Sequence, residues 1–219
     1  FADSSDKAQA NSTKAYVFTS NDQGRFAHFL DLLNAHKIDV RFLGSDQTID
    51  GTVYPAGQSA VVYLDQPRYS LIEGIFAVQN PPEGQVVFYD ISGWTLPHAY
   101  GLKHVALNAR QAGRIDTGSA ASKAGLRTPT LPPAPGDDVL AYVIDWSHFN
   151  APRAVNRILR HELRAKVIPD PVRLETTNGF VEVPRGAVIV PTRRQDMSPE
   201  EIYALVVRAV EEDGVAVHA

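Results

Sequence analysis

Hydrophobic positions fall into short runs separated by polar turns, and between those runs they recur with helical spacing. Ala15-Tyr16-Val17-Phe18 is the first run and predicts a strand. Ser20-Asn21-Asp22 then offers a cap, and Phe26, Phe29, Leu30 and Leu33 form one apolar stripe of a helix. Ile38 to Leu43 predicts the next strand. Thr48-Ile49 and Thr52-Val53-Tyr54 flank Asp50-Gly51, a dipeptide that tolerates the positive φ angles of a two-residue hairpin. Pro55-Ala56-Gly57 turns the chain into Ala60-Val61-Val62-Tyr63-Leu64, whose unbroken apolar character predicts a strand buried on both faces. Pro67 is placed to open a helix carrying Leu71, Ile72, Ile75 and Phe76.

The same signals return in the same order. Ala141-Tyr142-Val143-Ile144 restates the first strand; Asn150 and Pro152 open a helix with Val155, Ile158, Leu159 and Leu163 inward; Lys166-Val167-Ile168 is the next strand. Asn178-Gly179 stands for Asp50-Gly51, Pro184-Arg185-Gly186 for Pro55-Ala56-Gly57, and Ala187-Val188-Ile189-Val190 for the buried strand. Ser198-Pro199-Glu200-Glu201 is a capping box before a stripe of Ile202, Leu205, Val206 and Ala209. An α/β fold is therefore predicted, an internally duplicated β-α-β-β-β-α unit giving two similar lobes with mixed sheets. Residues 1–14 read as a disordered tail, 15–107 as the first lobe, 108–138 as a Pro/Gly-rich linker and 139–219 as the second lobe. Val86 to Tyr89 adds a strand after the first copy, and Val215-Ala216-Val217 looks like its counterpart cut off at its start. With Phe1 in first place, a fragment or a processed product is expected.

Composition narrows the function classes. The 219 residues carry 21 Lys+Arg against 25 Asp+Glu, a net charge of −4, and no Cys, which excludes a disulfide scaffold, a thiolate metal site and a Cys nucleophile. Basic residues are spread along the chain, so no nucleic-acid partner is expected, and no segment approaches the roughly 20 apolar residues of a membrane span. Asp3, Asp6 and Lys7 interrupt any signal-like apolar start. The oligomeric state is left open.

Few constellations could carry chemistry. No histidine opens an H-x-x-E pair, and His161-Glu162 fails as H-E-x-x-H because residue 165 is Ala, so no metal ligand or cofactor is assigned to this segment. Asp145-Trp146-Ser147-His148, at the end of a strand, could serve a hydrolase with Asp145 or Asp90 as third member, although triads are usually assembled from separate loops. The plain alternative is a polar loop that helps cap the next helix. Arg153, Arg157, Arg160 and Arg164 line one helix face and could bind carboxylates or phosphate or dock on an acidic neighbour; otherwise they are a solvated face. Trp94, His98 and Tyr100 could line a pocket between lobes for a small molecule or peptide, or could simply pack at a junction.

Ala15 to Asp22, Tyr54-Pro55-Ala56-Gly57 and above all Tyr89-Asp90-Ile91-Ser92-Gly93-Trp94-Thr95-Leu96-Pro97 resemble a region of large bacterial proteins of the zinc carboxypeptidase (carboxypeptidase-A-like) family. That region follows the peptidase domain and precedes one similar to class I glutamine amidotransferases. The resemblance implies a non-catalytic accessory domain that positions or shields the peptidase or aids substrate recognition, with these neighbouring domains of the same polypeptide as its partners. It implies zinc only in the parent's peptidase domain, and a periplasmic or secreted setting. None of the family's zinc or catalytic residues maps onto this chain.

Overall fold

In the computed structural model, which describes residues 2–78 and 95–219, the chain begins with α1 (Ala2–Ala10), where a tail is expected from sequence. Tertiary contacts account for the difference, because a short polar helix is marginal alone. Ala8 is buried in the core; Asn11 Nδ2 donates to Tyr69 Oη at 3.0 Å and to Glu73 Oε1 at 2.7 Å; Lys14 Nζ donates to the carbonyls of Ala8 and Gln9.

Next come β1 (Thr13–Thr19), α2 (Gln23–Ala35), β2 (Arg41–Leu43), the hairpin β3 (Gln47–Ile49) and β4 (Thr52–Tyr54), β5 (Ser59–Tyr63), α3 (Tyr69–Phe76), α4 (Leu96–Ala99), β6 (Lys103–Asn108), α5 (Ala109–Ala112) and β7 (Thr117–Ala120). After a 3-10 turn at Lys123–Gly125 the chain continues through β8 (Ala141–Ile144), α6 (Ala151–Leu159), β9 (Lys166–Val167), the hairpin β10 (Val172–Thr176) and β11 (Gly179–Val183), β12 (Val188–Pro191), α7 (Pro199–Glu211) and β13 (Val217–His218). The chain divides into two units, Phe1–Asn21 with Phe26–Arg127 and Asp22–Arg25 with Thr128–Ala219.

In the first unit the sheet order is β6-β1-β5-β2-β7, and in the second β13-β8-β12-β9. The α/β class stands, but every pairing among the described residues is antiparallel, which corrects the expectation of mixed sheets. The reason lies in strand order. β1 and β2 share a direction across the helical crossover, and β5 lies between them running the other way; β12 separates β8 from β9 in the same manner.

Alternation along each central strand builds two layers of core. Tyr16 and Phe18 of β1 face α2 and α3, where the Phe18 ring lies 5.5, 5.3 and 5.5 Å from those of Phe26, Phe29 and Phe76. Ala15 and Val17 face the opposite way, onto Tyr54 of the hairpin and Ala112 of α5. The second unit repeats this logic: Tyr142, Ile144, Val188 and Val190 pack on α6 and α7, and Val143 and Ala187 pack against hairpin residues such as Val183.

Two further expectations are corrected. Residues 108–138 are not wholly a linker: Asn108 and Gln111 form a capping box for α5, and β7 pairs with β2, so the first unit runs to Arg127. Leu159 is 51% exposed rather than inward, because α6 buries Ala151, Ala154, Val155 and Ile158. The expected strand Val86–Tyr89 lies outside the described residues. Among the described residues no helix is long and apolar enough to cross a membrane.

Candidate functional site

The Asp145–His148 segment forms a turn. Asp145 Oδ1 accepts from the Ser147 N–H at 2.8 Å and the Asp145 carbonyl from the His148 N–H at 3.4 Å, so the carboxylate holds the loop rather than orienting an imidazole. Among the described residues no hydrogen bond joins Ser147 Oγ to a histidine, and Asp90 lies outside them. His218 sits close enough to sense both Asp145 and His148; burial pushes its pKa down, Asp145 works against that, and His148 adds to it.

The four arginines do not act as one stripe. α6 ends at Leu159, and Glu162 at φ 58° reverses the chain, so Arg164 lies beyond the helix. Arg153 and Arg157 turn to the end of α7, where Asp213 is only 1% exposed. Arg153 Nε lies 2.9 Å from Asp213 Oδ1, and Arg157 Nη2 lies 3.1 Å from Asp213 Oδ2 and 2.8 Å from Glu212 Oε2. Asn150, expected to cap α6, instead donates from Nδ2 to the Asp213 carbonyl at 2.7 Å. Two carboxylates at the negative end of a helix dipole are unfavourable, and the arginines offset them. Arg208 Nε, 2.8 Å from Glu212 Oε1, joins the group; its hydrogen bond, with Arg157 nearby, holds the Glu212 carboxyl below the usual range.

Arg160 and Arg164 remain exposed. Gln195 ties the second of them to the loop after β12: the Arg164 N–H donates to Gln195 Oε1 and Gln195 Nε2 donates to the Arg164 carbonyl, both at 2.9 Å. This places the segment of Arg193 and Arg194, the former 3.7 Å from Asp137 Oδ1, beside the Arg164 backbone that leads into β9. Residues 160–166 and 193–196 then hold five basic and two acidic side chains on one rim, all exposed. Lys166, Arg193 and Arg194 escape a sequence reading because they stand in separate segments; the adjacent pair Arg193-Arg194 after a strand is the one local signal.

His98 and Tyr100 are not brought together, and Trp94 lies outside the described residues. Tyr100 packs its ring 5.0 Å from Phe29 on the edge of the first core, with its hydroxyl 3.0 Å from His28 Nδ1. His98 is exposed, its ring 4.7 Å from that of His104, in a groove of about 470 Å³ that also reaches Tyr16 and Glu73. Burial, and then His98, push the His104 pKa down. Among the described residues no group of three His, Cys, Asp or Glu side chains is placed to hold a metal ion.

No family model, no curated protein and no solved structure matches this chain.

Proposed function

We propose that this chain is a non-catalytic accessory module that docks on a neighbouring protein surface, in the setting of a zinc-carboxypeptidase-like polypeptide. The observation that carries it is the exposed basic rim of Arg160, Arg164, Lys166, Arg193 and Arg194. Arg153 and Arg157 are engaged by Asp213, and within the rim Arg193 reaches Asp137, its Nη2 3.7 Å from Oδ1, which leaves Arg160, Arg164, Lys166 and Arg194 as the larger part of the rim for a partner. An acidic face of a peptidase or amidotransferase-like domain is the partner that the resemblance suggests, and zinc would belong to the peptidase. A periplasmic or secreted setting is part of the same proposal. The correspondence between β6-β1-β5-β2 and β13-β8-β12-β9 in chain order supports reading the two units as copies of one ancestor.

The complete reading frame tests the setting: an H-x-x-E peptidase domain before this segment is expected, and a frame with no peptidase domain overturns it. Assays of the purified chain against esters and peptides test the role. No turnover is expected, and turnover that Ser147→Ala abolishes would establish a hydrolase instead.

A further inference from the structure

In the first unit the outer edge of β2 is covered. β7 pairs with it, the Gly44 N–H donating to the Asp116 carbonyl at 2.8 Å and the Ala121 N–H to the Val40 carbonyl at 2.7 Å. The turn after β7 then closes over Phe42, with Gly125 packed so tightly that an added Cβ would lie 2.7 Å from the ring. Asn34 of α2 secures the end of β7 by donating from Nδ2 to the Ala121 carbonyl at 3.2 Å.

β9 holds the same place in the second unit. Arg41 and Phe42 pair with Val61 and Ala60, and Lys166 and Val167 pair with Ile189 and Val188. Among the described residues no strand lies on the outer side of β9. Ile168 directs both its groups toward the β12 side, its N–H to the Ala187 carbonyl at 2.8 Å and its carbonyl to the Gly186 N–H at 2.9 Å. Strand alternation therefore turns the N–H and carbonyl of Val167 outward. The side chain that matches Phe42 is Val167, 66% exposed where Phe42 is 4% exposed. By the spacing of the buried stripes, Leu159 matches Asn34 and is likewise exposed.

Resting on the docking role proposed above, we propose that the outer edge of β9 is a strand-addition site for an extended acidic segment of a partner protein. Backbone groups of Val167 supply the ladder, Val167 and Leu159 the apolar footing, and the basic rim the choice of charge. A second copy is disfavoured as occupant, since pairing β9 with itself would bring two basic rims together.

The test titrates the full chain with two synthetic peptides, the sequence of Ile115–Leu126 and the same sequence with Ser119→Glu and Lys123→Glu. The readouts are amide NMR shifts and calorimetry. The acidic peptide is expected to bind about tenfold tighter than the other, to shift the Val167 and Lys166 amides, and to weaken as salt rises. Val167→Pro removes the outward N–H together with the Val167 part of the apolar footing and should abolish binding with the amide spectrum otherwise retained. Lys166→Glu, which leaves the ladder intact, should narrow the peptide preference, and an unchanged preference would remove the rim from the site. Equal binding to Val167→Pro and wild type, or a dimer in sedimentation that Val167→Pro dissolves, would overturn the site. A peptide neither cut nor held removes strand addition alone, whereas a peptide that is cut removes the non-catalytic reading with it.

Discussion

Replacing Asp213 by Asn keeps the shape of the side chain and one acceptor oxygen while deleting its charge. The Asp213 side chain is fully buried, Arg157 is 15% exposed and Arg153 is 64% exposed. Removing one partner of a buried pair costs about 3–5 kcal/mol. Two features lower that figure here: Arg153 can return to water, and Arg157 keeps Glu212 at 2.8 Å. About 2–3 kcal/mol is therefore expected for Asp213→Asn, against at most ~1 kcal/mol for Arg153→Ala, whose charge is already largely solvated. A urea scan with circular dichroism should show the transition moving earlier by about 1 M. Added salt should alter the shift little, because the pair is dry. An Asp213→Asn variant within 0.5 kcal/mol of wild type, by the scale of ordinary surface changes, would refute the reasoning, as would an equal loss from Arg153→Ala.

Ser198→Ala should destabilise the second unit by about 1 kcal/mol, since it breaks a capping box with both hydrogen bonds in place; thermal melts decide it. Phe29→Ala should cost the first unit about 3–5 kcal/mol in denaturant titration, because its ring is fully buried between Phe18, Phe76 and Tyr100. His104 and His218 are held below the ordinary histidine value of 6.5 by burial, so the unfolded chain takes up those protons first. Stability is thus full above about pH 6.5 and is lost as pH falls through the depressed folded values. His104→Gln and His218→Gln should each flatten that acid limb in melts at successive pH values.

Where a side-chain pattern decides the structure, it was legible. Phe26, Phe29, Leu30 and Leu33 are all fully buried on α2, Asp50 and Gly51 take the positive φ angles of a hairpin, and the capping box at Ser198 forms as read. Elements decided by pairing were not legible. Thr117-Gly118-Ser119-Ala120 has no apolar period, and only the open edge of β2 makes it β7. α1 depends on Ala8, Asn11 and Lys14 finding partners on distant segments. For the site, the chain order shows four arginines in one row; it does not show Asp213, some fifty residues on, taking two of them.

Ala15 of β1 is flanked by Tyr63 on one side and Leu107 on the other. β1, an interior strand of the first sheet, is thus finished by one of the last segments of its unit. On a ribosome adding about 5–20 residues per second, roughly 2–9 seconds separate the arrival of the two neighbours. For that interval one side of a strand with the apolar run Ala15–Phe18 stands bare in a nascent chain. Chaperone dependence during synthesis should accordingly track the interval before β6 emerges, and slowing translation there would lengthen the exposure rather than help folding.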